Sequence, residues 1–223
     1  PILAKPADLC CLKGSFHTGE PQGKTTHIEG IETYIAAPAP DTANGNILLY
    51  FPDAFGLHGN SFLLMDAFAS CGYMTLGDAV SKHTTTPLID PNFDFEAWCG
   101  KHLESSEEVA AKWVEAVESI YGGPEKVKFA CVDGICKAGA IAHPSFMKES
   151  HVFGVDAPLY IAAPTTDSLF LPESRARTVE ILTEGEKRFN LQVYSGVGHG
   201  FAWAKEQCFK GFVEWFDFWL SRD

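Results

Sequence analysis

The sequence predicts an α/β fold: a mostly parallel sheet with helices on both faces. Three observations carry this. Short, mainly apolar runs recur at residues 46–51, 73–76, 127–132, 158–163 and 191–194. Runs without polar alternation mark strands that are buried on both faces. Segments with helical spacing of apolar residues lie between several of these runs, and one closes the chain. Composition agrees, since 46% of the 223 residues are apolar, 21% are charged and 17 are Phe. One sizeable core can be built from this. A disordered tail, a collagen-like repeat and a disulfide-stapled miniprotein are excluded.

Residues 1–25 are irregular and rich in Gly, Pro and Cys. Residues 27–37 alternate and break at Gly30, which predicts two short antiparallel strands or one bent strand. A turn-rich loop over 38–46 leads into the first buried strand. Residues 60–70 are helical, through Phe62, Leu63, Met65, Phe68 and Ala69. Residues 94–121 are expected to be helical in two pieces. The second would start near Ser105 and Ser106, where Glu107 and Glu108 suit the positive N-terminal end. Its apolar face would be Val114, Ala116, Val117 and Ile120, and Gly122-Gly123-Pro124 would stop it. After strand 127–132 come a strand at 139–142, the strand at 158–163, and a helix over 174–184 with Pro172 and Glu173 in its first turn. The last strand precedes an amphipathic helix over 205–220 bearing Phe209, Phe212, Trp215, Phe216 and Trp219. That face covers either the core or a second copy, so a homodimer stays open. With no internal repeat and no linker, a single domain over 1–223 is expected.

Lys and Arg number 17 against 29 Asp and Glu, a net charge of −12. Such a field repels a phosphate backbone, so nucleic acid is not expected as a partner. No apolar run is long enough to span a bilayer, and residues 1–13 lack the layout of a signal peptide. The seven cysteines, Cys10, Cys11, Cys71, Cys99, Cys131, Cys136 and Cys208, contain no C-x-x-C pair. Adjacent Cys10 and Cys11 suit zinc poorly. Free thiols in a reducing cytosol are the simplest account, with no metal and no cofactor.

Ligands of open α/β sheets bind at the carboxyl ends of strands. Four segments occupy such positions: Pro52-Asp53-Ala54-Phe55-Gly56-Leu57, Asp133-Gly134-Ile135-Cys136, Pro164-Thr165-Thr166-Asp167 and Ser195-Gly196-Val197-Gly198-His199-Gly200-Phe201. Asp167 and then His199 follow successive strands, the acid-then-base order of a nucleophile–Asp–His triad. In that chemistry the His takes a proton from the nucleophile, and the Asp holds its other ring nitrogen. Gly198 and Gly200 would let the loop turn tightly around His199. Taken singly, an Asp after a strand is often a helix cap, and a His in a Gly-rich loop is often a turn residue. Their joint placement favours function.

Cys10-Cys11-Leu12-Lys13-Gly14-Ser15-Phe16-His17, Pro52-Asp53-Ala54-Phe55-Gly56, Asp94-Phe95-Glu96-Ala97-Trp98, Ala142-His143-Pro144-Ser145-Phe146, Pro172-Glu173-Ser174-Arg175 and Ser195–Ala202 together resemble the dienelactone hydrolase family in its fungal branch. The resemblance keeps the order of elements over nearly the whole chain. It implies an α/β-hydrolase fold, a cysteine nucleophile on an elbow turn, and metal-free hydrolysis of an activated ester or lactone. It also implies Asp167 as the acid, His199 as the base, Asp53 as a thiol-activating carboxylate, and the Ala54 N–H as an oxyanion donor. His143, Phe55 and Phe201 are the candidate substrate contacts. Core packing competes for Phe201 and His143, and a solvated surface pair competes for Lys82 and His83.

The elbow pattern of the family is Gly-x-Cys-x-Gly, and Gly134-Ile135-Cys136-Lys137-Ala138 almost fits. Only six residues separate strand 127–132 from strand 139–142. A parallel crossover needs at least about a dozen, usually a helix. Cys136 is therefore disfavoured as the nucleophile and reads better as the entry to the next strand. Relative to the family pattern, the elbow and its helix are missing after Val132, and shorter losses fall after Gly77 and Ala202. The leading reading is a soluble thiol hydrolase acting on a small molecule. Two alternatives stand beside it. One is a fungal secondary-metabolite enzyme using the same pocket for cyclisation, isomerisation or dimerisation. The other is a non-catalytic binding protein on this scaffold.

Overall fold

A computed structural model describes residues 1–5, 18–52, 56–78, 94–122, 129–130, 136–204 and 206–222. Its contacts divide the chain into two compact units, Ser15–Phe129 and Pro1–Gly14 with Ala130–Asp223. Among the described residues, no helix is long and apolar enough to cross a membrane.

In the unit Ser15–Phe129, residues 27–37 resolve into two strands, β1 (Lys24–Ile28) and β2 (Ile31–Ala36), paired antiparallel. Glu29 and Gly30 join them with φ of 48° and 75°. Two successive positive φ values make the tight hairpin turn whose twist matches the strands. β2 pairs antiparallel with β4 (Met74–Asp78), which pairs parallel with β3 (Ile47–Tyr50). The sheet order is β1-β2-β4-β3-β5, with β5 at Phe129–Ala130. Helix α1 (Gly59–Ser70) buries Met65 and Ala69 against Tyr34 and Ala36 of β2.

Helix α2 is continuous over Phe95–Tyr121, not divided near Ser105. Asp94 is the cap, and its side chain accepts the Ala97 N–H at 2.9 Å. The serines at 105 and 106 resemble a helix start, but no Gly or Pro lies within four residues of either. The surrounding good helix formers carry the helix through. The buried face also shifts. Trp113 and Val117, spaced i and i+4, are fully buried, while Ile120 is 61% exposed. The Trp113 indole N–H donates to the Thr33 hydroxyl at 2.9 Å, tying α2 to β2 inside the core.

In the second unit, β6 (Gly139–Ala142), β7 (Leu159–Thr166) and β8 (Phe189–Gly198) form a parallel sheet in that order. Strand β7 alternates between two cores. Leu159, Ile161 and Ala163 pack with Phe170, Ile181 and Leu182, whereas Tyr160 and Ala162 pack with Tyr194, Phe201 and Cys208. Period-two alternation sends successive side chains to opposite faces. Helix α3 is short (Glu149–Phe153). Helix α4 (Pro172–Glu184) covers the first face, and α5 (Glu206–Leu220) covers the second. A 3-10 turn at Phe201–Ala204 precedes α5. Helices on both faces of a parallel sheet are thus present in this unit.

The cysteine expectation is corrected at one position. Cys71 and Cys208 are free, but Cys136 is disulfide-bonded and buried. Cys10, Cys11 and Cys131 lie outside the described residues, as do the join after Val132 and Lys82 and His83, whereas the joins at Gly77–Asp78 and Ala202–Trp203 lie within β4 and the 3-10 turn.

Candidate active site

Strand β8 extends four residues beyond the apolar run 191–194, to Gly198. Ladder pairing uses the backbone, so polar and Gly residues continue it. At the carboxyl end, Thr166 of β7 and Gly198 of β8 are register partners, after an irregularity between Pro164 and Thr166. Asp167 and His199 are the next residue on each strand. Parallel pairing therefore delivers the two side chains to the same edge at the same level. Gly198 belongs to the strand, so the turn expected of both flanking glycines falls to Gly200, at φ 82°.

His199 Nδ1 lies 3.1 Å from Asp167 Oδ2 and 3.2 Å from Oδ1. Both side chains are buried, at 5% exposure for His199 and 0% for Asp167. Asp167 Oδ1 also accepts the amides of Leu169 at 2.8 Å and Phe170 at 3.2 Å. Asp167 makes the cap contacts, and the same carboxylate also faces His199. Burial pushes its pKa up. The His199 contact and the two amides outweigh this and leave it below the ordinary Asp value. An ionised carboxylate facing Nδ1 orients the N–H there and leaves Nε2 as the basic nitrogen.

Arg175 is a residue whose role the sequence did not indicate. From the first turn of α4, its Nη1 donates to the carbonyls of Pro164 and Phe170, each at 3.0 Å. It holds the strand end and the loop carrying Asp167 together. The only prior signal was its place in the Pro172-Glu173-Ser174-Arg175 motif.

His143 joins the pair. Its ring lies edge-on to His199, with centroids 4.8 Å apart, and 5.9 Å from Phe201. Burial first, and His199 second, lower its pKa to about 4. Phe201 is buried and packs on Tyr194 at 5.1 Å. Asp53, Ala54 and Phe55 lie outside the described residues. Among the described residues, no group of three or more His, Cys, Asp or Glu is arranged to hold a metal ion.

Residues 101–214 match the model of the dienelactone hydrolase family. Dienlactone hydrolase 1 of Gibberella moniliformis is 55% identical, over 100% of this chain and 98% of its own. The chain belongs to the dienelactone hydrolase family. Hydrolase pyvD of Aspergillus violaceofuscus is 31% identical, over 99% of this chain and 100% of its own. Among solved structures, TT1662 from Thermus thermophilus superposes with a TM-score of 0.67 at 14% identity, over 91% of this chain and 99% of that one. This family member therefore has the α/β-hydrolase fold and is a dienelactone hydrolase-like hydrolase. The Gibberella alignment runs over 255 positions against 223 residues here, a difference of 32. The relative carries that many positions with no counterpart in this chain.

Proposed function

We propose that the protein hydrolyses an activated ester or lactone by a Cys-His-Asp mechanism. The buried Asp167–His199 pair, set one residue beyond a strand register pair, carries this reading. His199 Nε2 removes the thiol proton, and the thiolate attacks the carbonyl carbon. The Ala54 N–H and a second backbone donor hold the resulting oxyanion. Collapse expels the alcohol or enol oxygen, which takes the proton from His199. Water, deprotonated by the same ring, then cleaves the thioester. Asp167 stays ionised and balances the imidazolium at each step. By the family resemblance, Asp53 is proposed to assist thiol ionisation, and Phe55 and Phe201 are proposed contacts of a small-molecule substrate. The reading includes a single domain, a cytoplasmic location and no cofactor.

The nucleophile belongs to the elbow that the family pattern places after Val132. The 32 extra positions in the alignment with Dienlactone hydrolase 1 exceed the dozen or so that a parallel crossover needs. Cys136 is not proposed as the nucleophile; it is buried, disulfide-bonded and three residues from β6. The same difference favours one second reading, a binding protein that keeps the acid and base but has no thiol to activate.

Two measurements separate these readings. Turnover of an activated aryl ester should fall about 10³-fold in His199→Ala, with the circular dichroism spectrum unchanged. Equal turnover would remove His199 from the mechanism. Thiol alkylation with peptide mapping should find a reactive cysteine outside the seven named above, in a protein heavier than 24.4 kDa. An intact mass of 24.4 kDa without turnover would establish the binding reading.

A further inference from the structure

His143 has no part in the mechanism above, yet it touches the base. We propose that His143 is a positioning residue: from the end of β6 its ring clamps the loop carrying His199 and keeps His199 Nδ1 on Asp167. The catalytic half of this inference rests on His199 being the base; the geometric half does not.

The backbone comes first. The His143 N–H donates to the Ala162 carbonyl at 2.8 Å, continuing the β6–β7 ladder by one residue beyond the partners Ala142 and Ala162. The chain then enters the left-handed region at φ 36°. Pro144 follows, and a residue before proline is pushed toward extended conformations. Glycine would adopt a positive φ with less strain. A strained backbone at such a point commonly serves a site.

The ring supplies that service. It meets two residues of one loop, His199 at 4.8 Å and 64°, and Phe201 at 5.9 Å and 66°. Phe201 is anchored in the core beside Tyr194 and Cys208. His143 thus spans the base and the buried anchor two residues further on. Without the ring, the His199 side chain loses this contact.

Charge is consistent with this role. The titratable groups acting on His143 are His199 and Asp167. Burial and His199 keep the ring neutral, with a pKa near 4. A neutral neighbour does not oppose the positive charge that His199 must carry. The sequence offers His143 as a candidate substrate contact; under this proposal it acts through His199.

Proton NMR of the full chain tests this. A carboxylate-bound imidazole N–H gives a slowly exchanging downfield signal, which His199→Ala identifies. His143→Ala should broaden that signal or speed its exchange at least tenfold, and His143→Phe, which keeps a ring, should restore it. If His143→Ala does not fold, His143→Leu takes its place, since it fills volume without a ring edge. On an ester substrate, the ring-less variant should lose at least tenfold in kcat with KM within twofold, and His143→Phe should recover to within threefold of the parent. A wild-type signal and wild-type kcat in the ring-less variant would overturn the proposal. So would a raised KM that His143→Phe does not rescue, the mark of a substrate contact. Absence of turnover in the parent protein would overturn the hydrolase reading and leave the NMR comparison standing.

Discussion

Thr166 and Gly198 are partners in the parallel register of β7 and β8, and each is followed directly by one member of the acid–base pair. The 3.1 Å contact between Asp167 and His199 is therefore a consequence of strand pairing. Backbone hydrogen bonds align the two strands, and the next side chain on each meets its counterpart. The amides of Leu169 and Phe170 and the Arg175 clamp then hold the carboxylate's loop.

Asp167→Asn should abolish most turnover and change the pH dependence of stability. The folded pKa of Asp167 lies below its ordinary value. Its stabilisation is present above the unfolded value, about 3.9, and is lost as pH falls through the folded one. His143 acts in a higher window. Its folded pKa is depressed to about 4 from 6.5, so the unfolded chain binds the extra proton between those values. Stability therefore falls on acidification from pH 6.5 toward 4. Urea titrations across pH should show both losses in the parent, and Asp167→Asn should remove only the lower one. An unchanged profile below pH 4 would refute the assignment.

Thr33→Val should destabilise the unit Ser15–Phe129 by about 1–3 kcal/mol. The substitution keeps the shape but leaves the fully buried Trp113 N–H without its acceptor. A urea midpoint shift, with intrinsic Trp fluorescence as the probe, measures it. A neutral result would mean that water or another group replaces the hydroxyl.

Gly211→Ala should also destabilise, against the usual helical preference. Alanine in a helix interior ordinarily gains about 1 kcal/mol over glycine. Here the added Cβ would stand 2.5 Å from the Tyr160 hydroxyl. That hydroxyl is held by Tyr194, at 2.9 Å, and by the Gln192 side chain. The rigid ring cannot swing aside without breaking these bonds, so overpacking of about 1–3 kcal/mol wins. A thermal melt showing stabilisation would contradict this.

Native alkylation should label Cys71 and spare Cys208. Cys71 is exposed, whereas Cys208 is fully buried and its thiol pKa is pushed up to about 12. The thiolate is the reactive form, so Cys208 is inert in the folded state. Labelling of Cys208 at the rate of Cys71 would show that the packing of α5 opens readily.

The apolar runs are legible in the sequence because burial on two faces leaves a local mark. β3, β4, β5, β7 and β8 all lie on or overlap those runs, and β6 covers the further strand read at 139–142. Asp167 and His199 were legible for the same reason: chemistry at strand ends needs only the strands to be located. Helix α2 is less legible. Ser105 and Ser106 suggested a start, but a cap signal acts only where the chain would otherwise stop. Ile120 fits the helical period yet is exposed, since periodicity does not say where the covering layer ends.

By itself, then, the sequence determined most of the strand and helix content, the family, and the two residues proposed for the proton chemistry. Tertiary structure decided the register that sets Asp167 beside His199, the Trp113–Thr33 bond across 80 positions, the Arg175 clamp, and the turn of His143 onto the base. The division has a physical cause. Hydrophobic pattern and turn chemistry act over a few neighbouring residues. Register, side-chain partners and a strained φ are set by contacts between segments far apart in the chain.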